Sequence, residues 1–459
     1  MVNDAAVAIL AAGQGTRMKS RMAKVLHRAG GKALVEHVIG AAKTLATPER
    51  IFVVVGHQAE AVGEVARANG VQSILQAEQL GTGHAVMCGK DQLAGLGGLL
   101  LVLNGDCPMI RPETLERLVD LYRSSGSAAA MITTDLDDPT GYGRIIRQPN
   151  GDVQAIVEHK AATPEQLAVR EINVGFYCFD AAAFWKHVHE IRPDNPASEY
   201  YLTDMIAILL KAGHRVTALK AEDSSEMLGI NNRVELAAVD RILRERKTRQ
   251  LMLEGVTIER PETVTIDADV TVGMDTVIGP FTQIMGKTTI GENCRIGASS
   301  ILDNATLGDN VDVFPFSMVS ASTLDNKAQI GPFARLRMGA HLAEDAHVGN
   351  FVELKKTKLG AGSKSMHLAY LGDSTIGSKV NIGAGTITCN YDGQKKHPTQ
   401  IADGAFVGSN STLVAPISIA EDAYIAAGSV ITHPVPAKTL ALGRAHQVMK
   451  EGWKPKLKS

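Results

Sequence analysis

The feature that most constrains the fold of this chain is a repeat of one aliphatic residue in every six, which begins near residue 264. Seven successive matches at a generous ~1/3 chance per position have odds of roughly 1 in 2,000 per register, so the repeat is not accidental. The first unbroken run consists of Ile266, Val272, Ile278, Ile284, Ile290, Ile296 and Leu302, and further runs cover 307–319, 324–354 and 401–431. Six residues suffice for one short strand and one turn. The pattern predicts a hexapeptide solenoid with the aliphatic residues pointing inward.

The chain before residue 230 follows a different pattern, in which short apolar runs alternate with amphipathic segments. The runs at 6–10, 51–55 and 99–103 are typical of buried parallel strands, and the segments at 32–45 and 112–123 have helical periodicity. This alternation predicts an α/β domain with helices on both faces of a sheet.

The pattern therefore divides the chain into an α/β domain at 1–230, a linker helix at 231–254 and a solenoid domain at 255–459 with a basic C-terminal tail. The linker helix is rich in arginine. We interpret its basic residues as a solvated face rather than as a nucleic-acid surface.

Composition excludes several classes of function. The net charge of -2 does not favour nucleic-acid binding, and no apolar stretch approaches the ~18 residues of a membrane span. The start, MVNDAAVAIL, lacks the basic flank and apolar length of a signal peptide. The five cysteines are scattered and never form CxxC, which indicates reduced thiols and a cytoplasmic protein.

A glycine-containing loop, LAAGQGTRM at 10–18, follows the first apolar run. A strand that runs into such a loop presents backbone N–H groups that can bind phosphate. Met18 stands where a third glycine would complete a dinucleotide fingerprint, so the motif alone is weak and a turn without a ligand stays open. Arg17 and Lys24 favour a ligand, since two cations beside the loop suit a polyphosphate.

The third apolar run ends in LNGDCP, which places Asp106 just beyond the C-terminal end of a buried strand. Ligands of open α/β folds collect at that edge of the sheet. A carboxylate there is a natural ligand for Mg²⁺, which takes one or two protein oxygens and completes its shell with water and phosphate. Asp106 is therefore a candidate metal ligand, with a loop cap as the alternative.

The hexapeptide pattern fails between residues 354 and 401, where five-residue steps, polar inward residues (Ser365 and Thr388) and an insertion at 390–400 interrupt it. Breaks in a regular pattern are expected at functional sites. His367 lies in this stretch, and an imidazole can act as a general base at neutral pH. A structural or surface role for His367 stays open at this point.

The first half of the chain resembles the sugar-1-phosphate nucleotidyltransferases through motifs in the same order. They include LAAGQGTRM with Lys24, LQAEQLGTGHAV (75–86), NGD (104–106), DDPTGYGRI (137–145), IVEHKAAT (156–163), EINVGFY (171–177) and GINNRVEL (229–236). The second half, with ARLRMGA, GNFVELKK, SMHLAYLGD, NIGAGTITCNYDG and FVGSNSTLVAP, resembles the left-handed parallel β-helix acetyltransferases. The whole chain is most similar to the bacterial bifunctional N-acetylglucosamine-1-phosphate uridyltransferase/glucosamine-1-phosphate acetyltransferase family. That resemblance implies a Rossmann-like nucleotidyltransferase domain, a linker helix and a left-handed β-helix.

The resemblance implies a uridylyl-transfer site that takes UTP and Mg²⁺. Arg17 and Lys24 would meet the phosphates as catalytic residues, and Asp106 and Asn231 would hold the metal. The substrate-binding residues implied are Leu10, Ala11, Ala12, Gly13, Lys24, Gln76, Gly81, Thr82, Asn104, Gly105, Gly143, Glu158, Asn173 and Asn231. Asn104 and Ala23 depart from the Tyr and Pro of relatives, but neither change removes a charge. The sugar phosphate is already an anionic nucleophile, so this reaction needs no general base.

The resemblance also implies an acetyl-transfer site with His367 as the general base for the 2-amine of glucosamine-1-phosphate. Sugar-phosphate or acyl contacts are implied for Arg337, Lys355, Tyr370, Asn381, Asn390 and Tyr391, and acetyl-CoA contacts for Ala384, Ser409, Ala427 and Arg444. The basic tail would suit the coenzyme A phosphates, or be a solvated end. A homotrimer assembled through the β-helix is implied as well.

Two other functions remain possible at this stage. The chain could be a sugar-1-phosphate nucleotidyltransferase whose β-helix only regulates or oligomerises. It could also be a non-catalytic subunit of a larger assembly, although the loop, Lys24 and Asp106 are then expected to be degraded, and all are intact.

Overall fold

The computed structural model describes residues 4–159, 162–195 and 197–454. Lys160 and Ala161 of the 156–163 motif and residues 455–459 of the basic tail lie outside them. The chain divides into two compact units, Met1–Leu243 and Arg244–Ser459. Where the sequence predicts a linker at 231–254, a helix covers Arg233–Leu253. No helix in the described ranges is long and apolar enough to cross a membrane.

The first unit contains a mixed sheet of nine strands in the order β11-β7-β10-β6-β1-β4-β5, counted over the described ranges, with β8 joined to β10 and β9 to β8. Its strands are β1 (Ala5–Leu10), β4 (Ile51–Val55), β5 (Gln72–Leu75), β6 (Leu99–Asn104), β7 (Ala129–Asp135), β8 (Arg144–Arg147), β9 (Val153–Val157), β10 (Glu171–Asp180) and β11 (Val216–Lys220); β2 (Arg28–Ala29) and β3 (Lys32–Ala33) form a separate pair. The three predicted apolar strands β1, β4 and β6 are mutually parallel, as expected. Strand β10 runs antiparallel to β6 and β7, which the sequence pattern did not predict.

Helices cover both faces of this sheet because alternate residues of each strand point to opposite sides. Val7 and Ile9 pack in the core that α1 and α5 complete, whereas Ala6 and Ala8 face the core of α7 and α8. The helices are α1 (Leu34–Ala42), α2 (Ala59–Ala68), α3 (Thr82–Met87), α4 (Lys90–Leu93), α5 (Pro112–Ser125), α6 (Pro164–Leu167), α7 (Ala181–His187), α8 (Asp204–Lys211) and α9 (Arg233–Leu253). The loops at the carboxyl ends of β1 and β6 are therefore held on a rigid base.

The second unit is a parallel β-helix with three faces. Face 1 has the strands Thr257–Ile258, Val277–Ile278, Arg295–Ile296, Asp312–Val313, Gln329–Ile330, His347–Asn350, Lys364–His367, Asn381–Ile382, Phe406–Val407, Tyr424–Ile425 and Leu440–Ala441. Face 2 has Thr265–Ile266, Gln283–Met285, Ile301–Asp303, Met318–Ser320, Arg335–Arg337, Glu353–Lys355, Tyr370–Gly372, Ile387–Cys389, Thr412–Val414 and Val430–Ile431. Face 3 has Thr271–Val272, Thr289–Ile290, Thr306–Leu307, Thr323–Leu324, His341–Leu342, Lys358–Leu359, Ser374–Ile376, Thr399–Ile401 and Ile417–Ile419.

The aliphatic residue of each hexapeptide points into this solenoid, as the repeat predicts. The series of Ile278, Ile296 and Val313 on face 1 is buried and forms part of one continuous core. Each short strand pairs in register with the equivalent strand of the next coil, so the backbone groups are satisfied between coils. The insertion at 390–398 leaves the solenoid between a face 2 strand and a face 3 strand.

The corner between faces 1 and 2, which we call the 1/2 corner, has an unusual backbone. Five large apolar residues there have a left-handed φ of 53–60°: Phe281, Phe316, Phe333, Phe351 and Leu368. Large side chains rarely adopt this conformation. The first four are aromatic and exposed, and Phe316, Phe333 and Phe351 stack with ring centroids 5.0 and 5.5 Å apart.

Candidate active sites

A cavity of about 610 Å³ opens at the carboxyl edge of the first unit's sheet. The predicted residues among its lining are Leu10, Ala11, Ala12, Gly13, Lys24, Gln76, Gly81, Thr82, Asn104 and Asp106. Gln79, Glu199 and Tyr201 also line it, and sequence reasoning missed them. Gln79 lies within the 75–86 motif, whereas no motif marks the segment near residue 200. We call this cavity the nucleotide pocket.

Four charged or amide side chains that are distant in sequence meet at this pocket. The Lys24 ammonium bonds Asp106 Oδ2 and lies 3.4 Å from Asn231 Oδ1. The guanidinium of Arg17 donates to the same Asn231 oxygen at 2.8 Å. Asn231 is held in turn by its backbone N–H, which donates to Glu235 at 2.7 Å. Oxygens of Asp106 and Asn231 thus face one cation together.

The loop at 10–18 owes its shape to Gly15 and Met18. Gly15 has φ of +63°, and a Cβ there would lie 2.6 Å from the Cβ of Lys24, so only glycine lets Lys24 approach. Met18 is buried against Leu34, Ile230 and their neighbours, which explains why a methionine occupies the place of a third glycine. Arg17, between them, remains exposed and free to reach Asn231.

The other predicted nucleotide contacts are tied to neighbouring segments. Gly81 has φ of +108°, and a Cβ there would lie 2.6 Å from the carbonyl oxygen of Tyr200. Thr82 Oγ1 accepts the backbone N–H of Leu202 at 3.0 Å. Gly105 donates its N–H to the Leu10 carbonyl at 2.9 Å, which joins the ends of β1 and β6.

The predicted sugar contacts lie together on β8–β10 and the loop before them. A Cβ on Gly143 would lie 3.4 Å from Glu158 Oε1, and the Asn173 N–H donates to the Gly143 carbonyl at 2.9 Å. Desolvation and the Asp204 carboxylate raise the pKa of Glu158. Asn104 donates to the Val174 carbonyl at 3.1 Å, so it connects the nucleotide pocket to this group.

In the second unit, His367 ends a face 1 strand beside Asn350 of the preceding coil. Asn350 Oδ1 lies 2.7 Å from His367 Nδ1, and an amide oxygen can only accept a hydrogen bond. His367 therefore carries a proton on Nδ1, and in the neutral ring Nε2 is the basic nitrogen. Sequence reasoning missed Asn350. Residues one coil apart in a solenoid are neighbours, so the position of Asn350 one coil before His367 could have indicated the contact.

A basic group lies at the end of face 2. Arg337 pairs with Glu353 at 2.6 Å, and buried Lys355 lies 3.5 Å from Asp373, which also accepts from Asn390 at 2.5 Å. Lys396, from the insertion, is the residue that sequence reasoning missed here. A hydrogen bond from Lys355 and the charge of its ammonium lower the pKa of Lys396.

The residues predicted to contact acetyl-CoA follow the 1/2 corner beyond His367, one in each coil. Backbone hydrogen bonds link the coils in order: Asn410 to Ala384 (2.7 Å) and Gly428 to Ser409 (2.8 Å). The Arg444 guanidinium closes the row by donating to the Ala427 carbonyl at 2.7 Å. Bulky corner residues are replaced by Gly385, Asn410 and Gly428 along this stretch, so it is less obstructed than the aromatic part of the corner.

The remaining predicted contacts are not drawn together within the described residues of one chain. Tyr370 folds over Gly372, whose Cβ position is 2.5 Å from the Tyr370 hydroxyl. Tyr391 donates only to Gly393 in its own loop, at 2.7 Å. Asn381 is exposed on face 1, next in register to Lys364.

Comparison with protein families divides the chain as its architecture does. A MobA-like NTP transferase domain matches residues 7–172, a GMPPB C-terminal domain matches 260–359, and the hexapeptide repeat of succinyl-transferase matches 398–433.

Comparison with whole proteins decides the family. Proteins named bifunctional protein GlmU are 62% identical over 98% of this chain in Solibacter usitatus and 49% identical over 98% in Koribacter versatilis, with 97% of each relative covered. One from Geobacillus thermodenitrificans is 46% identical over 98% of this chain and 97% of its own length. The chain belongs to the GlmU family.

Membership of the GlmU family confirms several predictions from the sequence. The resemblance, the fold class with a nucleotidyltransferase domain and a left-handed β-helix, and the bifunctional enzyme are all confirmed. A GlmU chain joins a nucleotidyltransferase to a hexapeptide acyltransferase, so the alternatives with one activity or none are set aside.

Proposed function

We propose that residues 1–230 transfer a uridylyl group from UTP to N-acetylglucosamine-1-phosphate, and that residues 255–459 transfer acetyl from acetyl-CoA to glucosamine-1-phosphate. Together the two reactions make UDP-N-acetylglucosamine. The observation that carries the first assignment is the meeting of Arg17, Lys24, Asp106 and Asn231 at the nucleotide pocket. The His367–Asn350 pair carries the second.

Uridylyl transfer needs alignment and charge stabilisation more than acid–base chemistry. A phosphate oxygen of the sugar attacks the α-phosphorus of UTP, a new P–O bond forms, and the bond to pyrophosphate breaks. Lys24 and Arg17 lie where two polyanions would meet and stabilise the charge that spreads over the transferring group. The N–H groups of the 10–15 loop bind phosphate, and Gly143, Glu158 and Asn173 hold the sugar.

Asp106 and Asn231 would hold Mg²⁺, which would shield the phosphates when bound. These residues fit a cation, because their oxygens already share the Lys24 ammonium. The described residues contain no cluster of three acidic, histidine or cysteine ligands. That is compatible with Mg²⁺, which keeps water and substrate phosphate in its shell. Lys24 must leave Asp106 for the phosphates when metal and nucleotide bind.

The tautomer of His367 provides the base for acetyl transfer, which is Nε2. Nε2 accepts the proton of the glucosamine 2-amine while the nitrogen forms a bond to the thioester carbon. The C–S bond then breaks, and the imidazolium returns that proton to the departing sulfur, so coenzyme A leaves as the thiol. Asn350 holds the ring and stabilises its protonated form. Arg337 and Lys355 present two cationic side chains to the sugar phosphate, Lys396 lies beside them, and Tyr370, Asn381, Asn390 and Tyr391 contact the sugar or acyl group.

The row of Ala384, Ser409, Ala427 and Arg444 is the proposed acetyl-CoA groove. Tyr391 and Asn381 have no hydrogen bond to His367 within the described part of the chain, and we propose that a second copy of the chain contributes further residues to the site. We assign that contact to a homotrimer. The exposed aromatic residues of the 1/2 corner support it, since they form an apolar strip with strained backbones that a free surface does not require.

Two reciprocal variants test the proposal. Asp106→Ala should abolish pyrophosphate release from UTP and N-acetylglucosamine-1-phosphate but leave acetyl transfer unchanged. His367→Ala should reduce thiol release from acetyl-CoA and glucosamine-1-phosphate by ~10²-fold or more and leave uridylyl transfer unchanged. Loss of both activities in either variant, or of neither, would contradict the assignment.

A further inference from the structure

We propose that His84, together with the Gly81 carbonyl, makes the nucleotide pocket select uracil over cytosine by fixing the orientation of the Gln76 side-chain amide. His84 lies outside the pocket lining, so it is a positioning residue rather than a catalytic one. The inference rests on the proposed uridylyl transfer and takes Gln76, which lines the nucleotide pocket, as the contact to the base.

The amide nitrogen of Gln76 has two partners, which use both of its hydrogens. It donates to the Gly81 carbonyl at 3.1 Å, and it lies 3.1 Å from Nδ1 of His84. Gln76 is buried, with 3% of its surface exposed, so neither hydrogen can be satisfied by bulk water.

These contacts fix which end of the amide faces the pocket. The Gly81 carbonyl can only accept, so the nitrogen of Gln76, and not its oxygen, must lie beside it. His84 Nδ1 then accepts the second hydrogen. The oxygen of Gln76 is left as an acceptor for the ligand.

His84 accepts at Nδ1 in the tautomer that carries its proton on Nε2. The ring also lies beside Cys88, whose Sγ is 3.7 Å from Nε2 and 3.9 Å from Nδ1, and the centroid of the Tyr200 ring lies 6.1 Å away. Burial raises the pKa of the Cys88 thiol, so no thiolate lies beside the ring.

An acceptor at this place distinguishes the two pyrimidines. Uracil carries a hydrogen on N3 and can donate it to the Gln76 oxygen. Cytosine carries a lone pair on N3, which would oppose that oxygen. Cytosine would be accepted only if the amide turned over, and that would place the Gln76 oxygen against both Gly81 and His84.

The test compares His84→Phe, which removes the acceptor but keeps a ring, with His84→Asn, whose Oδ1 can take the place of Nδ1. We expect the ratio of kcat/KM for UTP over CTP to fall about tenfold in the Phe variant, the effect of one lost hydrogen bond, and to stay near wild type in the Asn variant. If the Phe variant does not fold, His84→Ala replaces it. Thermal unfolding midpoints monitor the fold.

The outcomes separate this inference from the function on which it rests. Equal losses for UTP and CTP in the Phe variant, or the same ratio in the Phe and Asn variants, would overturn it. Calorimetric binding of UTP and CTP gives the same comparison without turnover. Absence of UTP-dependent pyrophosphate release in the wild type would contradict the proposed function instead.

Discussion

At the scale of single residues, the nucleotide pocket depends on a glycine, Gly81, whose backbone conformation and close neighbours leave no room for a Cβ atom. Gly81→Ala would force an L-residue to φ of +108° with its Cβ against the Tyr200 carbonyl. We expect uridylyl transfer to fall by two orders of magnitude or more, by the displacement of Gln76 and Thr82, with acetyl transfer unchanged. Gly95→Ala is the matched control, because nothing lies within 4 Å of its Cβ position. Parallel assays of both activities decide the outcome.

A buried ion pair makes the stability of the first unit depend on pH. Burial acts to raise the pKa of Glu171, but hydrogen bonds from Arg147 and Thr133 outweigh it, and the pKa lies below its ordinary value. A lowered pKa adds stability above the unfolded value of about 4.3, and that stability is lost as pH falls through the folded value.

Glu171→Gln should therefore lower the free energy of unfolding by about 1–3 kcal/mol at pH 7, because Arg147 loses its partner. The difference from wild type should shrink below about pH 4. Urea unfolding can be followed by Trp185 fluorescence in a Trp453→Phe background, since the chain has two tryptophans. A difference that stays constant with pH would show that Glu171 does not act through its charge.

At the scale of elements, the polar residues at inward positions of the solenoid affect its stability. Ser365 occupies an inward position between Val348 and Ile382, and its buried hydroxyl has no hydrogen-bond partner in the described ranges. Thr388, the other polar inward residue, accepts the Gly372 N–H at 2.8 Å. The two interruptions therefore differ in energy.

Ser365→Ala should raise the stability of the second unit by about 1 kcal/mol, whereas Thr388→Val should lower it by about 1–3 kcal/mol. Thermal unfolding of the two variants measures this difference. A loss of stability in both would indicate that water or a partner satisfies Ser365. The rate of acetyl transfer by Ser365→Ala shows whether the unpaired Ser365 hydroxyl contributes to the function of the nearby His367.

The periodic elements could be predicted from the sequence, and the aperiodic ones could not. One aliphatic residue in six determines which side of a strand is buried, so the solenoid core follows directly from the pattern. Strand β10 was not predicted as antiparallel, because an apolar run carries no sign of its direction. The lysine of the insertion, Lys396, could not be placed because a nine-residue loop has no period.

The residues of the nucleotide pocket come together only through the fold, and no local sequence pattern predicts their contacts. Lys24 and Asn231 meet although 207 residues separate them. Asp106 could be placed at the sheet edge from its strand alone, but Asn231 entered only through the family resemblance. His84 escaped notice because it acts on Gln76 and not on the ligand.

At the scale of the whole molecule, the aromatic strip predicts association of copies. Replacing Phe316, Phe333 and Phe351 together by Asn removes the strip and suits the left-handed backbone better than Phe does. We expect the variant to have the mass of one chain, 48.8 kDa, by light scattering, and the wild type to have three times that mass. Acetyl transfer should fall and uridylyl transfer should persist. A variant that stays trimeric would move the interface elsewhere.

The ammonium of Lys24 between Asp106 and Asn231 has a thermodynamic consequence for the enzyme without metal. The protein already supplies a counter-charge for Asp106, so arrival of Mg²⁺ exchanges one cation for another. Metal binding then contributes little to folding, in contrast to sites whose ligands repel one another when empty. A chelator should stop uridylyl transfer without shifting the unfolding midpoint, and a large downward shift would show that the lysine is no substitute. The first unit would therefore be folded before the proposed Mg²⁺ binds.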